Sequence, residues 1–137
     1  MPGDTASIRY SLREPFERAV ESVCRSLESR GLRVAGQLDV SRRVERRLGI
    51  ALPPCRIVFV LPGRLLSQES IHPWAAIFLP IHVVISGHGS HAEILVQSRI
   101  QANLETAVAA LAVPIQETQA QIWEAIEAIA MRPSLVV

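Results

Sequence analysis

One apolar stripe constrains this chain more than any other feature. Phe16, Ala19, Val20, Val23, Cys24 and Leu27 recur at spacings of three and four residues. That is the period of an α-helix, so all six lie on one face. Glu14 with Arg18, and Glu21 with Arg25, stand four apart on the other faces and support the same helix. Ser11 precedes Glu14 at capping-box spacing, Pro15 suits an early helical position, and Gly31 ends the pattern. A stripe this continuous needs an apolar surface to lie against. The chain supplies it in strands.

Residues 6–12 alternate apolar with polar, Ile8, Tyr10 and Leu12 against Ser7, Arg9 and Ser11. Leu32, Val34, Gly36 and Leu38 alternate as a second strand. Asp39 then caps a short helix over 40–48 whose inner side is Val40, Val44 and Leu48, stopping at Gly49. After Pro53-Pro54, residues 56–61 predict a strand buried on both faces. A short helical piece over 64–71 closes at Pro73, and strands over 77–86 and 92–98 follow. The segment Gly87-His88-Gly89-Ser90 joins these two strands as a hairpin loop. The last third is helical, from 104 to 111, with Pro114 as an interruption before Ile115, Ile122, Ile126 and Ile129. The order is β-α-β-(α)-β-(α)-β-β-α. It predicts an α+β fold, an antiparallel-rich sheet with helices packed on one face. Phe16, Val20, Val23, Leu27, Ile57, Phe59, Val83 and Ile85 form its expected core.

A length of 137 residues predicts one domain, 1–137. With 49% hydrophobic and 20% charged residues the chain is not a disordered one. A net charge of +1 excludes a strongly basic nucleic-acid binder and an acidic solvating chain. Mean hydropathy is high at +0.26, yet the most apolar stretch, 73–86, holds two prolines and a histidine. It falls short of the ~20 residues that span a bilayer. A cytoplasmic protein without membrane contact is expected, its surplus apolar area buried in a sheet or a subunit interface. Trp123, Ala130 and the tail Leu135-Val136-Val137 are the parts expected to stay partly outside, and a homodimer is the expected closure.

The runs FERAVESVCRSLESRGLRVAGQLDV, RRLGIALPPCRIVFVLP and FLPIHVVISGHGSHAEILVQ together resemble the domain of unknown function family 302. The resemblance covers about 7–131. It implies a TATA-binding-protein-like α+β fold with β-α-β₄-α order and a tendency to homodimerise, and it implies no established activity. The family often carries a cysteine directly after the Leu-Pro of the fourth strand; here that residue is Ile81.

Candidate chemistry rests on few residues. His82, His88 and His91 fall within ten residues, and the His88-x-x-His91 spacing sits across the expected hairpin tip. Imidazoles converging on a turn bind ligands or transition metals, against the plainer reading of solvated loop residues. Arg42, Arg43, Arg46 and Arg47 lie on the outer faces of the 40–48 helix. They suit a small anion or form a solvated face. Residues 1–64 hold twelve arginines and seven acids, the rest two and six, so charge is asymmetric along the chain. No aromatic is interleaved with these arginines, which argues against nucleic acid. Cys24 belongs to the buried stripe. Cys55 enters a strand, and as a nucleophile it would need one of His72, His82, His88 or His91 as base. The leading expectation is a non-catalytic domain that binds a small ligand or a protein partner as a homodimer, without metal or cofactor. The alternative is a metal- or thiol-dependent enzyme using the histidines around 87–91 or Cys55.

Overall fold

The computed structural model describes residues 7–62, 81–97, 109–131 and 134–136. Within them run β1 (Ser7–Leu12), α1 (Phe16–Ser29), β2 (Leu32–Asp39), α2 (Val40–Leu48), β3 (Cys55–Pro62), β4 (Ile81–His88), β5 (His91–Gln97), α3 (Ala109–Glu127) and β6 (Ser134–Val136). The expected helical piece at 64–71, His72, Trp74 and the start of the 77–86 strand lie outside the described residues.

The six strands form one sheet in the order β2-β3-β4-β5-β1-β6, and every neighbouring pair is antiparallel. It follows that β1 and β2 run the same way with three strands between them, and α1 crosses the sheet to join them. Helix α1 lies against β2, β4 and β5 and against α3, which itself reaches β2 and β3. The fold is α+β, with α1 and α3 on one face.

The helix stripe does what its period requires. Ala19, Val20, Val23 and Leu27 are buried, with Phe16 and Cys24 partly buried at the margins. They meet Val58 and Val60 of β3, Ile81, Val83 and Ile85 of β4, Ile94 and Val96 of β5, Tyr10 of β1, and Ile122 and Ile126 of α3. Burying each large apolar side chain contributes roughly 1.5–3 kcal/mol relative to exposure. Gly87 lets the β4 end approach α1 closely, since a Cβ there would stand 2.8 Å from Phe16 Cβ.

Four expectations are corrected. Strand β3 is buried on one face: Val58 and Val60 are in the core, whereas Ile57 and Phe59 point to the opposite face and are half-buried. In β2 a bulge between Val34 and Gly36 shifts the register, so Leu38 and Gly36 leave the face that Leu32 and Val34 occupy. The capping box does not form, because α1 begins after Pro15 without a side-chain cap and Glu14 instead accepts from Ser22 Oγ at 2.8 Å. Helix α3 runs through Pro114. A proline removes one backbone bond, and the burial of Ile122, Ala125 and Ile126 further along offsets that loss. Beyond the expected elements, Ser134–Val136 adds a sixth strand beside β1.

Two local signals hold as expected. Asp39 caps α2 by accepting from the Arg42 backbone N–H at 2.9 Å, and Gly49 closes it in the left-handed region at φ 68°.

Candidate functional site

Antiparallel pairing gathers chemistry on the sheet face opposite α1. Strands β4 and β5 are joined by Gly89-Ser90, with Gly89 at φ +68°. A positive φ at the first of two turn residues is the hairpin geometry that glycine favours. It makes His88 and His91 direct cross-strand neighbours. Their rings stack at 5.5 Å between centroids and 22° between planes.

Alternation along each strand then places Ser86 and Glu93 on the same face. Ser86 Oγ stands 3.0 Å and Glu93 Oε1 stands 3.1 Å from the same atom, His88 Nε2. Glu93 Oε2 accepts from Arg9 Nε at 2.9 Å. Register also sets Cys55 opposite Ser86 and Ser11 opposite Glu93. This cluster of Ser, His, His, Glu and Arg is not a relay. In a catalytic triad the carboxylate holds one ring nitrogen while the other takes the hydroxyl proton. Here hydroxyl and carboxylate meet a single nitrogen, so they compete for it.

His82 shares this face but not the cluster. It pairs opposite Phe59, six residues from His88 along β4, or about 20 Å of strand. Among the described residues no group of three or more His, Cys, Asp or Glu could hold a metal ion.

The thiols are held protonated. Burial pushes the Cys55 thiol up, and the Asp39 carboxylate pushes it further; its backbone N–H donates to Ser41 Oγ at 3.2 Å. Cys24 is raised by burial and by Glu28, with Arg56 acting the other way. Both are free and half-buried. Reactive cysteines need the opposite surroundings.

Arg42, Arg43, Arg46 and Arg47 all stand exposed on α2. Arg42 borders a groove of about 490 Å³, shared with Phe16, Asp39 and Leu52. A second groove, of about 570 Å³, runs beside α1 and includes Cys24, Gln37 and Arg56.

Arg56 is one of two basic residues that sequence reasoning missed. It pairs with both carboxylate oxygens of Glu17, at 2.9 and 3.3 Å, reaches Asp39 Oδ2 at 3.4 Å, and lies 5.0 Å above the Phe16 ring. It ties the start of α1 to the cap of α2. Nothing local in the sequence marks it, because its partners are 39 and 17 residues away. Glu93 was readable from alternation across the hairpin. Arg9 was not, because it arrives through the long-range pairing of β1 with β5.

On the same face a cross-strand row, Leu38, Ile57, Val84 and Leu95, runs from β2 to β5 and ends beside Arg9. Each of the four is half-buried. No helix among the described residues is long and apolar enough to cross a membrane.

Residues 8–129 match the domain of unknown function DUF302. Three solved chains match. One is the crystal structure of the uncharacterized conserved protein DUF302 from Bacillus stearothermophilus, which is 18% identical, covers 90% of this chain and 94% of that one, and superposes with a TM-score of 0.61. That likeness speaks to the fold. No curated protein matches.

Proposed function

This chain belongs to the DUF302 family, and on that premise we propose that it works by binding, as a homodimer, and not by catalysis. The observation that carries the reading is the shared His88 Nε2. Ser86 and Glu93 both address it, so among the described residues no separate carboxylate orients the imidazole as a base. The raised thiols of Cys24 and Cys55 support the same reading.

The bound species sits on the sheet face opposite α1. There the row Leu38, Ile57, Val84 and Leu95 offers apolar area, and Arg9, His88 and His91 at its polar margin offer nitrogen donors. An apolar surface with a few convergent polar groups fits a small organic anion or a second protein surface. Two free thiols are in keeping with a reducing compartment, and we place the protein in the cytoplasm.

Native mass spectrometry of the purified chain tests this. The expected spectrum shows a species of twice 15.1 kDa, alone or with an organic molecule that is lost when His88 and His91 are both replaced by Ala. A ligand-free monomer at micromolar concentration overturns the reading.

A further inference from the structure

Helix α2 and the segment after it form a surface of a different kind. The helix buries none of its residues. Its outer side carries Arg42, Arg43, Arg46 and Arg47, all exposed. Directly after them, Leu48 is 68% exposed, Ile50 52% and Leu52 43%. Arg46 and Arg47 suit the helix C-terminus electrostatically, but that role asks nothing of the apolar residues. Single exposed leucines are ordinary on protein surfaces. Three such side chains within five residues, with Arg42 and Arg47 flanking Leu48 by helical period and Arg43 and Arg46 on the far side, make a patch at the end of the helix.

We propose that this patch docks the protein on an anionic lipid surface, the arginines at phosphate depth and Leu48 and Ile50 inserted beside them. The charge complementarity is direct: four guanidinium groups and a single carboxylate, Glu45, occupy α2. A protein partner needs roughly 800 Å² on each side, some 20–30 residues, which this short element does not offer. A lipid surface needs only basic groups near the headgroups and a few apolar side chains reaching the acyl boundary. That no helix among the described residues is long and apolar enough to cross a membrane bears on crossing one, not on lying against one. The inference is independent of the ligand proposed at the sheet face.

Co-sedimentation of the full chain with vesicles tests it. Binding is expected to phosphatidylcholine vesicles containing phosphatidylglycerol and not to pure phosphatidylcholine, and it weakens as salt rises. Replacing Arg42 and Arg47 by Ala lowers the partition coefficient roughly 25-fold, about fivefold for each guanidinium. Leu48→Ser with Ile50→Ser lowers it ~tenfold at unchanged charge. Circular dichroism of each variant shows it folded. Equal binding to both vesicle types overturns the proposal, as does an arginine effect without an apolar one. No binding by the folded chain overturns it too; if the same variants then turn a dimer into a monomer, the patch belongs to a second copy of the chain.

Discussion

Helices α1 and α2 each follow a strand of the same sheet, and each is followed by a glycine at positive φ, Gly31 and Gly49. Each also has a leucine near its end. Leu27 is fully buried and Leu48 is 68% exposed. Both helices thus stop at the same kind of signal, and α2 has the side-chain cap that α1 lacks, while the packing is opposite. Caps and periodicity specify that a helix forms. What it is for depends on whether its apolar side finds the sheet. Helix α1 crosses the sheet and closes the core; α2 stays at the sheet's edge with its arginines outward.

The largest expected effect tests the packed member of the pair. Leu27→Ala removes a side chain from the contact between α1, the sheet and α3. It is expected to cost about 2–5 kcal/mol, the range for a leucine whose surroundings collapse only in part. Urea unfolding followed by circular dichroism measures it. A loss below half a kilocalorie per mole would mean that the stripe is not the keystone of the core.

A middle-sized effect tests how α2 is held. Asp39 accepts from the Arg42 N–H and from Ser41 Oγ, both at 2.9 Å. The Arg42 backbone bond first, then Ser41 and Arg56, hold its carboxyl below the usual value, against the opposing effect of burial. Asp39→Ala is expected to cost about 1 kcal/mol, the ordinary worth of such a cap. The sign of its pH dependence follows from the lowered value. The capping contribution is present above the unfolded carboxyl's pKa, roughly 3.9, and is lost as pH falls through the lower folded value. Wild type and variant should therefore differ at neutral pH and converge in acid. A difference that grows on acidification would assign the stabilisation elsewhere.

These two sites also mark how far the sequence could be read. The α1 stripe, the Asp39 cap, the Gly49 stop and the Gly89 turn are local, and each is visible within a few residues. The sidedness of β3 was not. An apolar run such as Ile57-Val58-Phe59-Val60 has no alternation from which to choose a face, and only pairing with β2 and β4 decides it. The β2 bulge is equally silent: Leu32, Val34, Gly36 and Leu38 read as one face until an extra residue splits them. The same limit governs the site. His88, His91 and Glu93 belong to one hairpin and could be placed together, and His82, six positions along the same strand, could be set apart by counting. Arg9 and Arg56 join their partners through strands and helices distant in sequence, and no local spacing announces them.

The smallest expected effect closes the comparison. Leu48→Ala changes the same residue type as Leu27→Ala, also near the end of a helix, and alanine is the better helix former. At 68% exposure little apolar area leaves the water on folding, so the transfer term that dominates at Leu27 is nearly absent. No cavity opens either, because the side chain is not enclosed. The change in stability is expected within about ±0.5 kcal/mol, as for surface positions generally. The two leucines then differ by several-fold in cost for identical chemistry, a difference set by the sheet alone. If Leu48→Ala instead destabilised the chain as much as Leu27→Ala, and did so more strongly at higher protein concentration, Leu48 would be buried in an assembly of copies. The contrast between a packed helix and a presented one would then fail, along with the lipid-facing role proposed for α2.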